Sequence, residues 1–113
     1  MQMLNKFVLK LFITTMWMVL FSVTAFGEVV GVVVADHYKC ETYDRIVVET
    51  ERGFTNAEVY SGYSDTLEGD IIFGELHSYG FTDIHDESGT EVGRIYVDDY
   101  MVSNSEAVEW CFE

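Results

Sequence analysis

The stretch FTDIHDESGTEV, Phe81 to Val92, places four acids and a histidine within twelve residues. Carboxylates and an imidazole this close together are the groups that bind hard divalent cations or move protons. Asp83, His85, Asp86 and Glu87 are therefore the candidate metal set, with calcium as the ion they suit best. An EF-hand loop needs its glycine at the sixth position and a bidentate Glu at the twelfth. Counted from Asp83, Gly89 falls at the seventh position, so that loop is not present. The same residues are most simply a solvated hairpin turn, in which Asp86, Glu87 and Glu91 face water, with a weak, unspecific calcium site as the lesser reading.

Three histidines are available, His37, His77 and His85, and no two stand at the i, i+4 spacing of helical metal ligands. Neighbouring strands of a barrel could still bring His77 and His85 side by side. With Asp83 or Asp86 close, they would make a zinc site, a pH switch or a small metal-dependent hydrolase. Asp98 and Asp99 form a second acidic pair, read as an Asx-type turn leading into a helix. Serine chemistry lacks a setting, since no serine sits in a G-x-S-x-G elbow, and both glycine-rich phosphate loops are absent. The chemistry-bearing residues thus favour a non-enzymatic domain. Aromatic residues offer a different use. Tyr60, Tyr63 and Tyr79 lie around the polar loop SGYSDTLEGD, and tyrosine suits faces that bind proteins or sugars. Together with Asp65 and Glu68 they are the candidate contact residues.

The elements that must position these groups begin after residue 27. MQMLNKFVLK carries only Lys6 and Lys10, and seventeen uncharged residues follow, ending in the small residues Ala25 and Gly27 around Phe26. That is the layout of a secretory signal peptide, residues 1–27, cut before Glu28 or next to Phe26. An uncleaved membrane anchor is the rival reading, at the lower edge of spanning length. With no cysteine near the end of the apolar stretch, lipoprotein-type anchoring has no attachment point. The expected product is a single acidic domain, residues 28–113, exported to the periplasm or the extracellular space and free of the membrane.

Cleavage removes two lysines and no acid, taking the formal charge from −14 to about −16. Lys39, Arg45, Arg52 and Arg94 are then the only strong bases. Such a surface repels phosphate backbones and anionic head groups, which disfavours nucleic acid and lipid surfaces. A basic protein or a divalent cation remains as the compatible partner. Cys40 and Cys111, an even count in an exported chain, are expected to form a disulfide.

EVVGVVVAD reads as a buried strand in which Gly31 marks a bulge or a close contact. Two strand runs between Asp44 and Tyr60 turn at Gly53. DIIFGELHS is strand-like, and two alternating runs flank Gly89. Ser103 and Glu106 stand at capping-box spacing, opening a short helix whose inward face holds Cys111. About six short strands without intervening helices predict a mainly β fold, a small antiparallel barrel or meander of OB-like or SH3-like shape with one C-terminal helix. The expected function is that of an exported binding or accessory domain acting through protein or cation contacts. A hydrolase built on His77 and His85 and a calcium-stabilised structural domain are the alternatives.

Overall fold

A computed structural model describes residues 28–42, 44–62 and 66–113. The expected signal segment lies outside the described residues. The chain runs β1 (Val29–Ala35), α1 (His37–Cys40), β2 (Arg45–Thr50), β3 (Gly53–Ser61), β4 (Ile71–Gly74), β5 (Gly80–His85), β6 (Glu91–Val102) and α2 (Asn104–Phe112). The six strands close into a barrel in the order β1-β2-β3-β6-β5-β4, and every neighbouring pair is antiparallel. The six-stranded antiparallel barrel with a C-terminal helix follows the sequence expectation. The order is not that of one unbroken meander. Two three-stranded meanders are joined where β3 meets β6 and β1 meets β4, and closure leaves no open sheet edge.

Period-two alternation explains the interior. Val33, Ile46, Val48, Ala57, Val59, Ile72, Leu76, Ile84, Ile95 and Val97 form one buried cluster, drawn from all six strands and the segment after β4. β1 is apolar on both faces because both are covered. Its outward Val30 and Val32 pack with Ile71 and Phe73 of β4. Gly31 is the point of closest approach, since a methyl group there would run into the Val48 and Leu76 side chains.

The outer surface of β2 and β3 carries a second core. Val34, Ala35, Cys40, Val47, Phe54, Val102, Ala107 and Cys111 cluster there beneath the two helices. α2 starts at a capping box in which Ser103 and Glu106 satisfy each other's backbone N–H groups. α1 was not expected from the sequence. Asp36 creates it, its Oδ1 accepting from the backbone N–H groups of Tyr38 and Lys39 before Glu41 ends the turn at φ 59°. The Cys40 and Cys111 sulfurs lie 2.07 Å apart, at disulfide distance, and tie α1 to α2 across 71 residues of chain.

One local expectation is corrected. Asp98 and Asp99 do not form a turn into the helix, because β6 continues through them to Val102. Register shifts absorb the acidic pair: Asn56 pairs with Asp99 and Ala57 with Val97, leaving Asp98 as the extra residue of a bulge.

Candidate interaction face

The acid-rich turn is built as a hairpin. Asp86 Oδ1 accepts from the backbone N–H groups of Ser88 and Thr90 and from the Ser88 hydroxyl, with Gly89 supplying φ 90°. Those bonds, the Ser88 hydroxyl foremost, hold the Asp86 carboxyl below its usual range. The other members of the candidate set face different partners. Asp83 pairs with Arg94 at 3.2 Å, and His85 Nε2 lies 2.9 Å from Glu28 with its ring stacked on Phe73. Glu87 is exposed. Asp70, Asp86 and Glu87 border a cleft of about 350 Å³ with Ile71, Ile72 and Val92. Among the described residues, no group of three His, Cys, Asp or Glu side chains is arranged to hold a metal ion.

His77 and His85 are not brought together. His77 precedes β5 and bonds Thr50 Oγ1 at 2.8 Å beside the β2–β3 turn, whereas His85 ends β5 and pairs with Phe73. At about 3.3 Å of rise per residue, the length of β5 separates them by roughly 16 Å. Burial, followed by the charge of Arg52, holds the His77 pKa below the ordinary histidine value.

The candidate contact residues divide. Tyr63 and Asp65 lie outside the described residues. Glu68 is an anchor of the long loop, pairing with Lys39 at 2.9 Å while its backbone N–H donates to Asp36 Oδ2. Tyr79, just before β5, donates to Asp99 Oδ1 at 3.4 Å and packs its ring 4.8 Å from Tyr100.

Tyr60 belongs to an arrangement that includes residues the sequence reading did not single out. Phe81 on β5 and Tyr60 on β3 meet edge to face, centroids 4.8 Å apart, although β6 runs between their strands. Phe81 also meets Tyr96 of β6 edge to face at 4.9 Å. The Arg94 guanidinium lies 4.9 Å over the Phe81 ring while paired with Asp83. Tyr60 is 55% and Phe81 48% exposed, so the row of rings is a water-facing surface. The alternation of β5 carried the only sequence signal for it, putting Phe81, Asp83 and His85 on one face.

Beside the rings stands a carboxyl pair. Glu58 of β3 lies opposite Arg45 of β2 and opposite Tyr96 of β6. Its carboxyl lies close to that of Asp98, and the two can hydrogen-bond only while one of them holds a proton. That bond, then burial, then the charges of Asp98 and Asp44, push the Glu58 pKa up to about 6, with Arg45 opposing them weakly. Arg45 is held elsewhere. It donates to the Trp110 carbonyl oxygen, stacks on the indole and lies 3.8 Å from Glu113. Asp98 Oδ2 and Asn56 Oδ1 are both buried without a hydrogen-bond donor. The face can thus offer ring surface and unneutralised oxygen acceptors together. No protein-family model, no curated protein and no solved structure matches the chain.

Proposed function

We propose that this protein is a small exported binding domain, not an enzyme, and that it captures a basic protein segment on the outer face of β3, β6 and β5. The observation that carries this reading is the row of rings formed by exposed Tyr60 and Phe81 and half-buried Tyr96, set among Glu58, Asp83 and Asp98. Exposed aromatic clusters mark contact surfaces, and aromatic residues dominate the energetics of many of them. The formal charge of −14 selects the sign of the partner and speeds its approach. The rings stand at 78° and 81° to one another, a ridge better matched to a polypeptide than to a flat sugar ring. The disulfide pair supports export, because such a bond persists in an oxidising compartment.

A direct test measures the binding of an arginine-rich peptide by calorimetry. Tyr60→Ser with Phe81→Ser should weaken it about tenfold or more, as loss of a central anchor does. Tyr38→Ser, which removes a tyrosine 75% exposed on α1, should leave it unchanged. Equal binding by the double variant and the unaltered protein would refute the proposed face.

A further inference from the structure

We propose that Glu58, Asp98 and Asn56 form a subsite for one guanidinium group of an arginine-bearing partner, and that this subsite releases the group in mild acid. The inference rests on the binding reading above and adds to it the partner's chemistry and its control by pH.

The first support is charge that no ion pair among the described residues neutralises. Each strong base of the domain is already engaged: Lys39 with Glu68, Arg45 with Glu113 and Trp110, Arg52 with Glu51, and Arg94 with Asp83. None of these is within pairing distance of Glu58 or Asp98. Two carboxylates side by side repel each other, and an outside cation is what would let both stay ionised.

A second support is independent of charge. Asn56 is only 3% exposed, yet its Oδ1 meets no donor. Buried polar atoms are nearly always partnered, so such an oxygen is an acceptor that an incoming donor would satisfy. Asn56 shares the outer face of β3 with Glu58, because its register partner Val47 and Glu58's partner Arg45 lie on the same side of β2. The β6 bulge sets Asp98 next to Asn56's other partner, Asp99. Asp98 Oδ2 is the third acceptor and also lacks a donor. A guanidinium carries five N–H donors in a planar fork, whereas an ammonium is a compact point charge with three. Several spaced acceptors therefore favour arginine over lysine. The face already holds one arginine in this way: Arg94 lies over Phe81 and against Asp83, and Tyr96 gives Glu58 a ring neighbour of the same kind.

Release follows from competition between proton and cation. The groups facing Glu58 are Asp44 just before β2, Arg45 of β2, Asp98 and Tyr96 from β6, and Asn56 and Tyr60 along β3, while Glu113, which follows α2, acts through Arg45. Their balance makes Glu58 take up a proton at about pH 6. Above that pH the pair carries two charges for the guanidinium; below it, one of them is spent on the shared proton.

The test uses the disulfide-intact protein and two probes, acetyl-(Gly-Arg)4-amide and its lysine counterpart, titrated between pH 5 and 7.5. The expected result is tighter binding of the arginine peptide, weakened roughly five- to tenfold on going from pH 7.5 to 5. Glu58→Gln with Asp98→Asn should bind weakly and nearly independently of pH. As a check that needs no variant, the carboxyl resonance of Glu58 should titrate at a lower pH when the arginine peptide is present, because a cation favours the ionised pair. An unchanged Glu58 titration, or a carboxyl variant that keeps the affinity and pH response of the original, overturns the subsite. If Phe81→Ser still loses binding in that case, the aromatic face stands without the subsite. If neither variant affects binding, both proposals fall.

Discussion

Arg45 and Trp110 are joined twice. The guanidinium of this β2 residue lies 4.6 Å from the indole centroid and also donates to the carbonyl oxygen of the same tryptophan. A positive charge is thereby fixed at the last turn of α2, where the helix dipole is negative and the final carbonyl groups lack partners within the helix. A helix of nine residues is too short to stand alone, so such contacts decide whether it stays on the barrel.

Arg45→Gln should therefore loosen the end of α2. Losing the cation–π contact and the charge-assisted bond should cost about 1–3 kcal/mol. Urea unfolding followed by Trp110 fluorescence would measure it. A midpoint identical to that of the unaltered protein would mean that the helix is held by its apolar face alone.

The disulfide holds the same helix through the neighbouring residue, Cys111. Cys40 and Cys111 are both at most 1% exposed and close a loop of 71 residues, so the pair Cys40→Ala, Cys111→Ala should lower unfolding stability by roughly 4 kcal/mol on the chain-entropy account. Thermal unfolding of that double variant beside the oxidised protein is the measurement. A fall of under about 1 kcal/mol would show that the denatured chain was not restrained by the bond.

The acid-rich turn gives a prediction with a definite pH sign. Asp86 has its folded pKa below the ordinary 3.8, so its contribution is present above that value and is lost as pH falls through the lower, folded one. Asp86→Ala should lower the thermal midpoint at neutral pH and leave it nearly unchanged near pH 2. The same drop at both pH values would mean that backbone strain, not the carboxylate's hydrogen bonds, explains the loss.

Much of this architecture was legible in the residues, and what was not has physical causes. Strand-like apolar runs locate β1 to β4, that of β1 unbroken because both its faces are covered, alternation locates β5 and β6, and the Ser103–Glu106 spacing marks α2 because it satisfies two backbone N–H groups. Asp98-Asp99 resembled a turn because acids are common there. Only the pairing of β6 with β3, which is non-local, carries the strand through them with a bulge. Glu58 reaches Tyr96 and Phe81 for the same reason: the β5–β6 hairpin is visible in the sequence, but no spacing along the chain shows that β3 lies beside β6. Tyr60 was singled out by type, but its ring partner Phe81 is twenty-one residues away and meets it across an intervening strand.

Gly31 shows what the tight side of the barrel tolerates. A methyl group there would collide with Val48 and Leu76, and the Glu49 backbone carbonyl leaves little space on the third side. Gly31→Ala should destabilise by about 1–3 kcal/mol, the usual cost of overpacking a filled core. Adding Val48→Ala should restore part of that loss, since the two residues are in contact and their effects are coupled. Strictly additive losses in the double variant would argue that the barrel adjusts by shifting backbone.

Glu58 gives the prediction with the widest reach, because it separates the folded state's account of the acid pair from any partner. Its folded pKa of about 6 stands above the ordinary 4.5, so the folded protein binds the proton more tightly than the unfolded chain does. The stability this confers is fully present below pH 4.5 and is lost as pH rises through 6. Above pH 6 the two carboxylates repel, and Glu58→Gln, which keeps a donor for Asp98 at every pH, should unfold at a higher temperature than the unaltered protein. Near pH 4 the two should unfold together, and the gap should open between those values. Differential scanning calorimetry at pH 4, 5, 6 and 7 would trace it. A gap that does not change with pH would show that Glu58 and Asp98 do not share a proton, and the pH-controlled release built on that sharing would lose its basis.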